Sequence, residues 1–352
     1  MAPDARVQAA IDHWGPRFVQ AGVDASDFQA TTRRIETWDE WLDEWCASGD
    51  VHAALAREAQ AAGRTLTAGE AWARAAVAYH FAKFVWVLDA ERATAASRKA
   101  IEALYRAHSL LDPTAERVEA PLDGSYVAAN LRRPPDAERP PLVVLIPGLD
   151  STKEEFLQLE NVFLARGTAT ASLDGPGQGE TGERLSLRHD YEVAVTALLD
   201  ELAGRADVDL DRVGAMGVSL GGYYAPRAAA FEPRVKAVAG ISGPFNFVQL
   251  WEQAPPLSRE TFIAKARAGS DEEARRIAER LDLGGVLGGL RQPFLAVTGM
   301  LDRLVPWQQT ERQAREAPNA EFVLYEDGNH GCANLAYKAR PLVADWLREQ
   351  LA

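Results

Sequence analysis

Cysteine is scarce in this 352-residue chain, where Cys46 and Cys332 are the only two. They make no disulfide framework, and no CxxC pair offers a metal clamp. No spacing of His, Cys and carboxylates suggests a metal cluster either, so no metal and no cofactor is expected. Basic residues are outnumbered, 38 Lys and Arg against 51 Asp and Glu, for a formal net charge of −13. That balance argues against nucleic acid or an anionic membrane as partner. Long hydrophobic runs are also missing, since none approaches the roughly eighteen apolar residues of a membrane span. The opening Met1-Ala2-Pro3-Asp4-Ala5-Arg6 has no basic segment leading into an apolar core, so no signal peptide is expected and the protein is read as cytoplasmic. What remains is 47% apolar and 25% charged, the composition of a soluble globular protein. Its length favours two parts over one.

The most informative stretch is Gly217-Val218-Ser219-Leu220-Gly221, a G-x-S-x-G between a short apolar run and an Ala-rich helical stretch. In a strand–turn–helix context this is a nucleophile elbow: the serine sits on a tight turn and its hydroxyl clears the backbone. The turn also places Ser219 at a helix N-terminus, where free N–H groups favour a developing anion. A serine hydroxyl needs a base to take its proton and a third group to orient that base. In this layout they follow in the order Ser, acid, His, each after a strand. The run Pro293–Gly299 leads to Asp302, and Glu321–Tyr325 leads to Asp327-Gly328-Asn329-His330. Asp302 and His330 are therefore the candidate acid and base. His330 is the one histidine in a post-strand loop downstream of Ser219.

Taken in order, residues 1 to about 112 read as helical. Trp38, Trp41, Leu42 and Trp45 form an aromatic stripe at helical spacing, and Gly49-Asp50, Gly63 and Gly69 are expected breaks. The aromatics are ordinary helix–helix core one by one, yet a separate helical unit could also wall a substrate pocket. Asp123-Gly124 between alternating runs predicts a β-hairpin over 118–133. Leu142–Ile146 is a continuous apolar run, the mark of a strand buried on both faces of a parallel sheet. The loop after it, Pro147-Gly148-Leu149-Asp150, is positioned to donate one backbone N–H to an oxyanion, with the residue after the serine donating the other. The candidates are Leu149 and Leu220. Gly177-Gln178-Gly179-Glu180-Thr181-Gly182 is literally G-x-G-x-x-G. No helix opens on its glycines and no strand with a terminal acid follows about 20 residues on, so it is not read as a dinucleotide fingerprint. A helical excursion over about 246–290 resembles a lid insertion. Phe245, Trp251 and Glu252 near its start are pocket candidates, the alternative being packing for the aromatics and a solvated charge for Glu252.

These residues together resemble the α/β-hydrolase superfamily, a mostly parallel eight-stranded sheet flanked by helices. Narrower features are Ala78–Phe84, Pro147–Glu155, Asp174–Glu180 and Asp327–Asn334. They are similar to the branch that contains 2,6-dihydroxypseudooxynicotine hydrolase, a carbon–carbon bond hydrolase of nicotine breakdown, and the fermentation–respiration switch protein. That resemblance implies an N-terminal helical, cap-like domain over 1–115 and a catalytic domain over 116–352 with the helical insertion. It also implies a homodimer, a small-molecule substrate, and hydrolysis of a carbon–carbon bond beside a carbonyl. In the branch an acidic side chain near the pocket assists this cleavage. Glu252 is the matching candidate, or the family position falls on Ala254. A carboxylesterase or thioesterase is the second reading, and a non-catalytic regulator on a hydrolase scaffold is the reading from another class.

Overall fold

A computed structural model describes residues 4–352, so the first three residues of the opening stretch read for a leader lie outside the described residues. Two compact units are present. One runs to Ala115 and takes in Glu154–Gln158; the other comprises Glu116–Lys153 and Leu159–Ala352.

The first unit is helical, with long helices at Ala5–Ala21, Trp41–Ala61, Thr65–Ala82 and Ala90–Leu111. The aromatic stripe is its core. Trp38, Trp41 and Trp45 are buried, and Phe18 stacks on Phe81 with ring centroids 3.7 Å apart. Indole donors are partly satisfied by carbonyls, Trp41 Nε1 donating to Phe81 O at 2.9 Å and Trp86 Nε1 to Trp38 O at 3.0 Å. Gly63 does lie between two helices, but Gly49-Asp50 and Gly69 do not break any helix. A Cβ on Gly49 would lie 2.5 Å from the Tyr79 ring, and one on Gly69 would lie 2.5 Å from the Leu111 side chain. These glycines let helices approach closely, which outweighs their poor helix propensity. In the same unit Glu155 takes two bonds from Arg17, at 2.6 and 2.7 Å, and lies 3.1 Å from His80 Nε2.

The second unit is built on eight strands: β1 Glu116–Leu122, β2 Ser125–Arg132, β3 Pro141–Ile146, β4 Ala169–Asp174, β5 Asp209–Val218, β6 Val235–Ile241, β7 Phe294–Gly299 and β8 Ala320–Tyr325. Their order is β1-β2-β4-β3-β5-β6-β7-β8. β1 and β2 form the expected hairpin, turning at Asp123 and Gly124 with φ of 48° and 71°, the left-handed pair of a two-residue hairpin loop. β2 meets β4 antiparallel, and from β4 to β8 every pairing is parallel. β3, β4 and β7 are buried along their whole length, as the apolar run of β3 requires, and β4 and β7 bury polar Thr170, Ser172, Asp174 and Thr298 as well. Between β6 and β7 come helices Pro256–Ala266 and Asp271–Glu279 with shorter 3₁₀ turns. The helix Ala336–Gln350 closes the chain. No helix among the described residues is long and apolar enough to cross a membrane.

Candidate active site

β5 ends at Val218 and the helix Gly221–Phe231 starts three residues later. Ser219 between them has φ of 59°, a left-handed conformation that a residue with a Cβ adopts only under constraint. Its N–H donates to Ile241 O at the end of β6 (2.8 Å), and its carbonyl accepts from Gly222 N (2.7 Å). The flanking glycines are there for space. A Cβ on Gly217 would run into the Gly221 carbonyl, and one on Gly221 into the carbonyl of Ile146. The loop after β3 crosses the serine closely enough that a Cβ on Gly148 would stand 3.1 Å from Ser219 Cβ and 3.6 Å from its Oγ.

Asp302 lies in the loop after β7 and His330 in the loop after β8. These loops are stitched together by Met300 N–H to Tyr325 O (2.8 Å) and Leu301 N–H to Gly328 O (2.9 Å). His330 Nδ1 lies 2.8 Å from Asp302 Oδ2 and 3.0 Å from Oδ1. The Leu304 and Val305 amides both donate to Oδ1 at 2.9 Å. Burial alone would raise the Asp302 carboxyl, but the facing imidazole and the two amides outweigh it and hold its pKa below the ordinary value. An anionic Asp302 accepts a hydrogen bond from Nδ1–H, which leaves Nε2 as the unprotonated nitrogen of the neutral ring. The next residue ties this loop to the end of β6 and packs it against Val218 of the elbow. Gly331 N–H donates to Ser242 Oγ at 3.0 Å, and a Cβ on Gly331 would lie 3.2 Å from Val218 Cγ1. An oriented His–Asp pair of this kind can accept and return a proton.

Neither Leu149 nor Leu220 uses its amide as a donor in the backbone hydrogen-bond network of the described residues. Leu220 heads the elbow helix, and Leu149 follows the glycine that crosses Ser219. The three candidates from the insertion are placed differently. Phe245 is buried under the Arg312 guanidinium, 3.8 Å above its ring. Trp251 is buried edge-on to Phe262 and donates from Nε1 to Asp271 at 3.3 Å. Both belong to the continuous core of the sheet unit. The Glu252 side chain is 77% exposed and 3.9 Å from Arg275, the surroundings of a solvated charge. An acid that delivers a proton to carbon needs shielding from solvent.

Two features carried no signal in the sequence. Ser242, with φ of 52°, holds the histidine loop, and a serine that follows a strand gives no local sign of that role. A buried charge network links Lys153 to Asp174 (3.1 Å) and Glu180 (2.6 Å), and Glu180 to Arg117 (2.6 Å). Lysine and acid in a loop look alike whether solvated or buried.

A model of the FrsA-like esterases matches residues 34–252, more than half of the chain. The chain belongs to this α/β-hydrolase family. A model of the prolyl oligopeptidase family, which shares the superfamily, matches residues 155–352. Among the chain's relatives, the 2,6-dihydropseudooxynicotine hydrolase of Paenarthrobacter nicotinovorans is 35% identical over 341 residues, 96% of this chain and 92% of that protein. A 20-hydroxy-prefusarin hydrolase of Gibberella moniliformis is 34% identical over 254 residues, 67% of this chain and 60% of its own length. A crystal structure of 2,6-dihydroxy-pseudo-oxynicotine hydrolase superposes with a TM-score of 0.87 at 34% identity, covering 96% of this chain and 95% of that one. These relatives are hydrolases, and membership makes this protein an enzyme of the same class.

Proposed function

We propose that the protein is a serine hydrolase that cleaves a carbon–carbon bond beside a carbonyl, as in a β-diketone or an acyl-aromatic compound. The reading rests on end-to-end similarity to 2,6-dihydropseudooxynicotine hydrolase together with the His330–Asp302 pair, whose loop packs against the elbow. Ser219 Oγ adds to the carbonyl carbon while His330 Nε2 takes its proton. The oxyanion is received by the Leu149 and Leu220 amides. Collapse breaks the carbon–carbon bond, and the electron pair leaves on a carbon stabilised as an enolate or by an electron-poor ring. That carbon takes the proton held by His330. Water then adds to the acyl-serine, its proton passing through His330 back to Oγ, and a carboxylic acid is released.

The esterase description of the matching family favours a second reading, hydrolysis of an ester or thioester by the same residues with oxygen or sulfur as leaving atom. In either case the reading takes residues 1–115 as a cap-like domain and 116–352 as the catalytic one. It further takes the protein as a cytoplasmic homodimer that acts on a small molecule, a stoichiometry that light scattering checks directly.

The test is an assay of the protein beside its Ser219→Ala variant on p-nitrophenyl esters and on small aryl β-diketones or acyl-phenols. Serine-dependent ketone cleavage with feeble ester turnover supports the carbon–carbon reading, and the reverse supports the esterase. The variant is expected to lose about four to six orders of magnitude in rate. Near-normal turnover without the Ser219 hydroxyl would sink both readings.

A further inference from the structure

The glycine-rich loop after β4 resembles a phosphate cradle in sequence, but its Glu180 is paired with Lys153 and Arg117 and its Gln178 is hydrogen-bonded to the neighbouring loop. Gln178 is 3% exposed, and all four of its hydrogen-bonding positions are used. Its Nε2 donates to Pro147 O at 2.6 Å and to Gly148 O at 3.1 Å. Its Oε1 accepts from Gly175 N at 3.0 Å and from the Tyr191 hydroxyl at 2.8 Å. Because the Gly175 N–H faces one end of the amide and two carbonyls the other, flipping it would break three of the four bonds, and only the Tyr191 hydroxyl, which also lies 3.1 Å from Leu173 O, can turn from donor to acceptor. Tyr191 is fully buried and lies so close over Gly175 that a Cβ there would overlap its ring. The hydroxyl is therefore held in place and cannot follow a displaced Gln178.

The target of these bonds is the loop that crosses Ser219. A peptide unit is planar and trans, so the direction of the Gly148 C=O sets the direction of the Leu149 N–H on the far side of the same bond. We infer that Gln178, oriented by Tyr191, is a positioning residue that aims the Leu149 amide at the oxyanion. This inference rests on the proposal that Leu149 is an oxyanion donor. Two hydrogen bonds on successive carbonyls leave the 147–149 backbone little freedom to rotate. Pre-aimed donors give an oxyanion hole its catalytic effect, since they need no reorganisation when charge appears. Gln178 itself stays behind the loop and touches no reacting atom.

The test uses Gln178→Leu, which keeps bulk and removes both ends of the amide, and Tyr191→Phe, which keeps Gln178 but removes one of its two orienting donors. Each is assayed on p-nitrophenyl butyrate, and each is titrated with an aryl trifluoromethyl ketone, which forms a tetrahedral adduct with the serine. Misdirecting one oxyanion donor should lower kcat of Gln178→Leu about 100-fold with KM held within about twofold. Affinity for the ketone should fall in parallel with kcat/KM, because both report charge in the oxyanion hole. Tyr191→Phe should move the same quantities in the same direction by about tenfold, and it carries the test alone if Gln178→Leu does not fold. Wild-type kcat in both variants overturns the inference. So does an equal weakening of substrate and ketone binding, which is the result of a merely structural role. A Ser219→Ala variant in the same series separates the two failures: if it stays active, the serine mechanism is wrong, and if it is inactive while the Gln178 and Tyr191 variants are normal, only the positioning role is.

Discussion

His330 Nδ1 bridges both oxygens of the Asp302 carboxylate, at 2.8 and 3.0 Å, while the Leu304 and Val305 amides grip one of those oxygens from behind. The carboxylate thus fixes the ring's tautomer and is itself fixed by the chain. Asp302→Asn should lower kcat about 10⁴-fold, because an amide nitrogen facing Nδ1 favours the wrong tautomer. Asp302→Ala should in addition lower stability by about 1–3 kcal/mol, since it orphans the buried Val305 amide and the half-buried Leu304 amide. Steady-state kinetics and chemical denaturation of the two variants separate these effects.

Both thiols are expected to be inert. Burial pushes the Cys332 thiol, two residues from His330, up to about 12, and the Asp302 and Asp327 carboxylates add to the shift. Burial likewise raises Cys46 to about 11. At about pH 8 almost no thiolate is present at either, so iodoacetamide should leave hydrolysis intact. A fluorophosphonate should abolish it, with the label on Ser219. Loss of activity to iodoacetamide at the rate of a free thiol would contradict the burial of Cys332.

Glu232 governs part of the acid response. The Arg234 guanidinium, in spite of opposing burial, is the chief reason its pKa drops from 4.5 to about 2, with Thr196 and the Arg234 amide assisting. A depressed carboxyl contributes stability that is complete above its unfolded value and disappears as pH falls through its folded one. This contribution should therefore be intact near pH 5 and fade between about 4.5 and about 2. Glu232→Gln should be less stable than the parent at neutral pH and lose less on acidification over that window, as measured by denaturant midpoints.

Gly49 offers a contest between two effects of known size. In mid-helix, Gly→Ala is worth roughly 0.5–1 kcal/mol in favour of alanine. Here the new methyl would stand 2.5 Å from the Tyr79 ring, whose hydroxyl is tethered to Asp50 at 2.7 Å. Overpacking costs about 1–3 kcal/mol, so Gly49→Ala should destabilise despite its better propensity. A gain in stability on thermal unfolding would show that the helices separate more easily than their packing implies.

Where the sequence was legible, local chemistry and fold agreed. The unbroken apolar run at 142–146 marks a strand with both faces covered, and Asp123-Gly124 marks a left-handed turn. Ser219, Asp302 and His330 stand out because each follows a strand, so their order in the chain carries spatial meaning. Gly49 and Gly69 were misread because a helix-packing glycine differs from a helix-ending one only in what lies across from it, 30 residues away at Tyr79 and about 40 at Leu111. Glu252 and Trp251 share a segment, but which of them faces inward depends on how the insertion packs, and no local pattern encodes that. Gln178 escaped notice for the same reason, since its partners at 147 and 148 lie 30 residues upstream.

Three residues with side chains hold left-handed backbone at the loop end of the sheet: Ser219 after β5, Ser242 after β6 and Cys332 beyond β8. Each such conformation costs about 1–2 kcal/mol relative to a relaxed one. Glycine at 242 or 332 would remove that cost, and a screen for heat resistance alone would reward it. At 242 the same change deletes the hydroxyl that anchors Gly331, next to the histidine. Selection for robustness and selection for turnover therefore pull position 242 in opposite directions, and a stabilised form of this enzyme is better sought in the helical unit or on the outer strands.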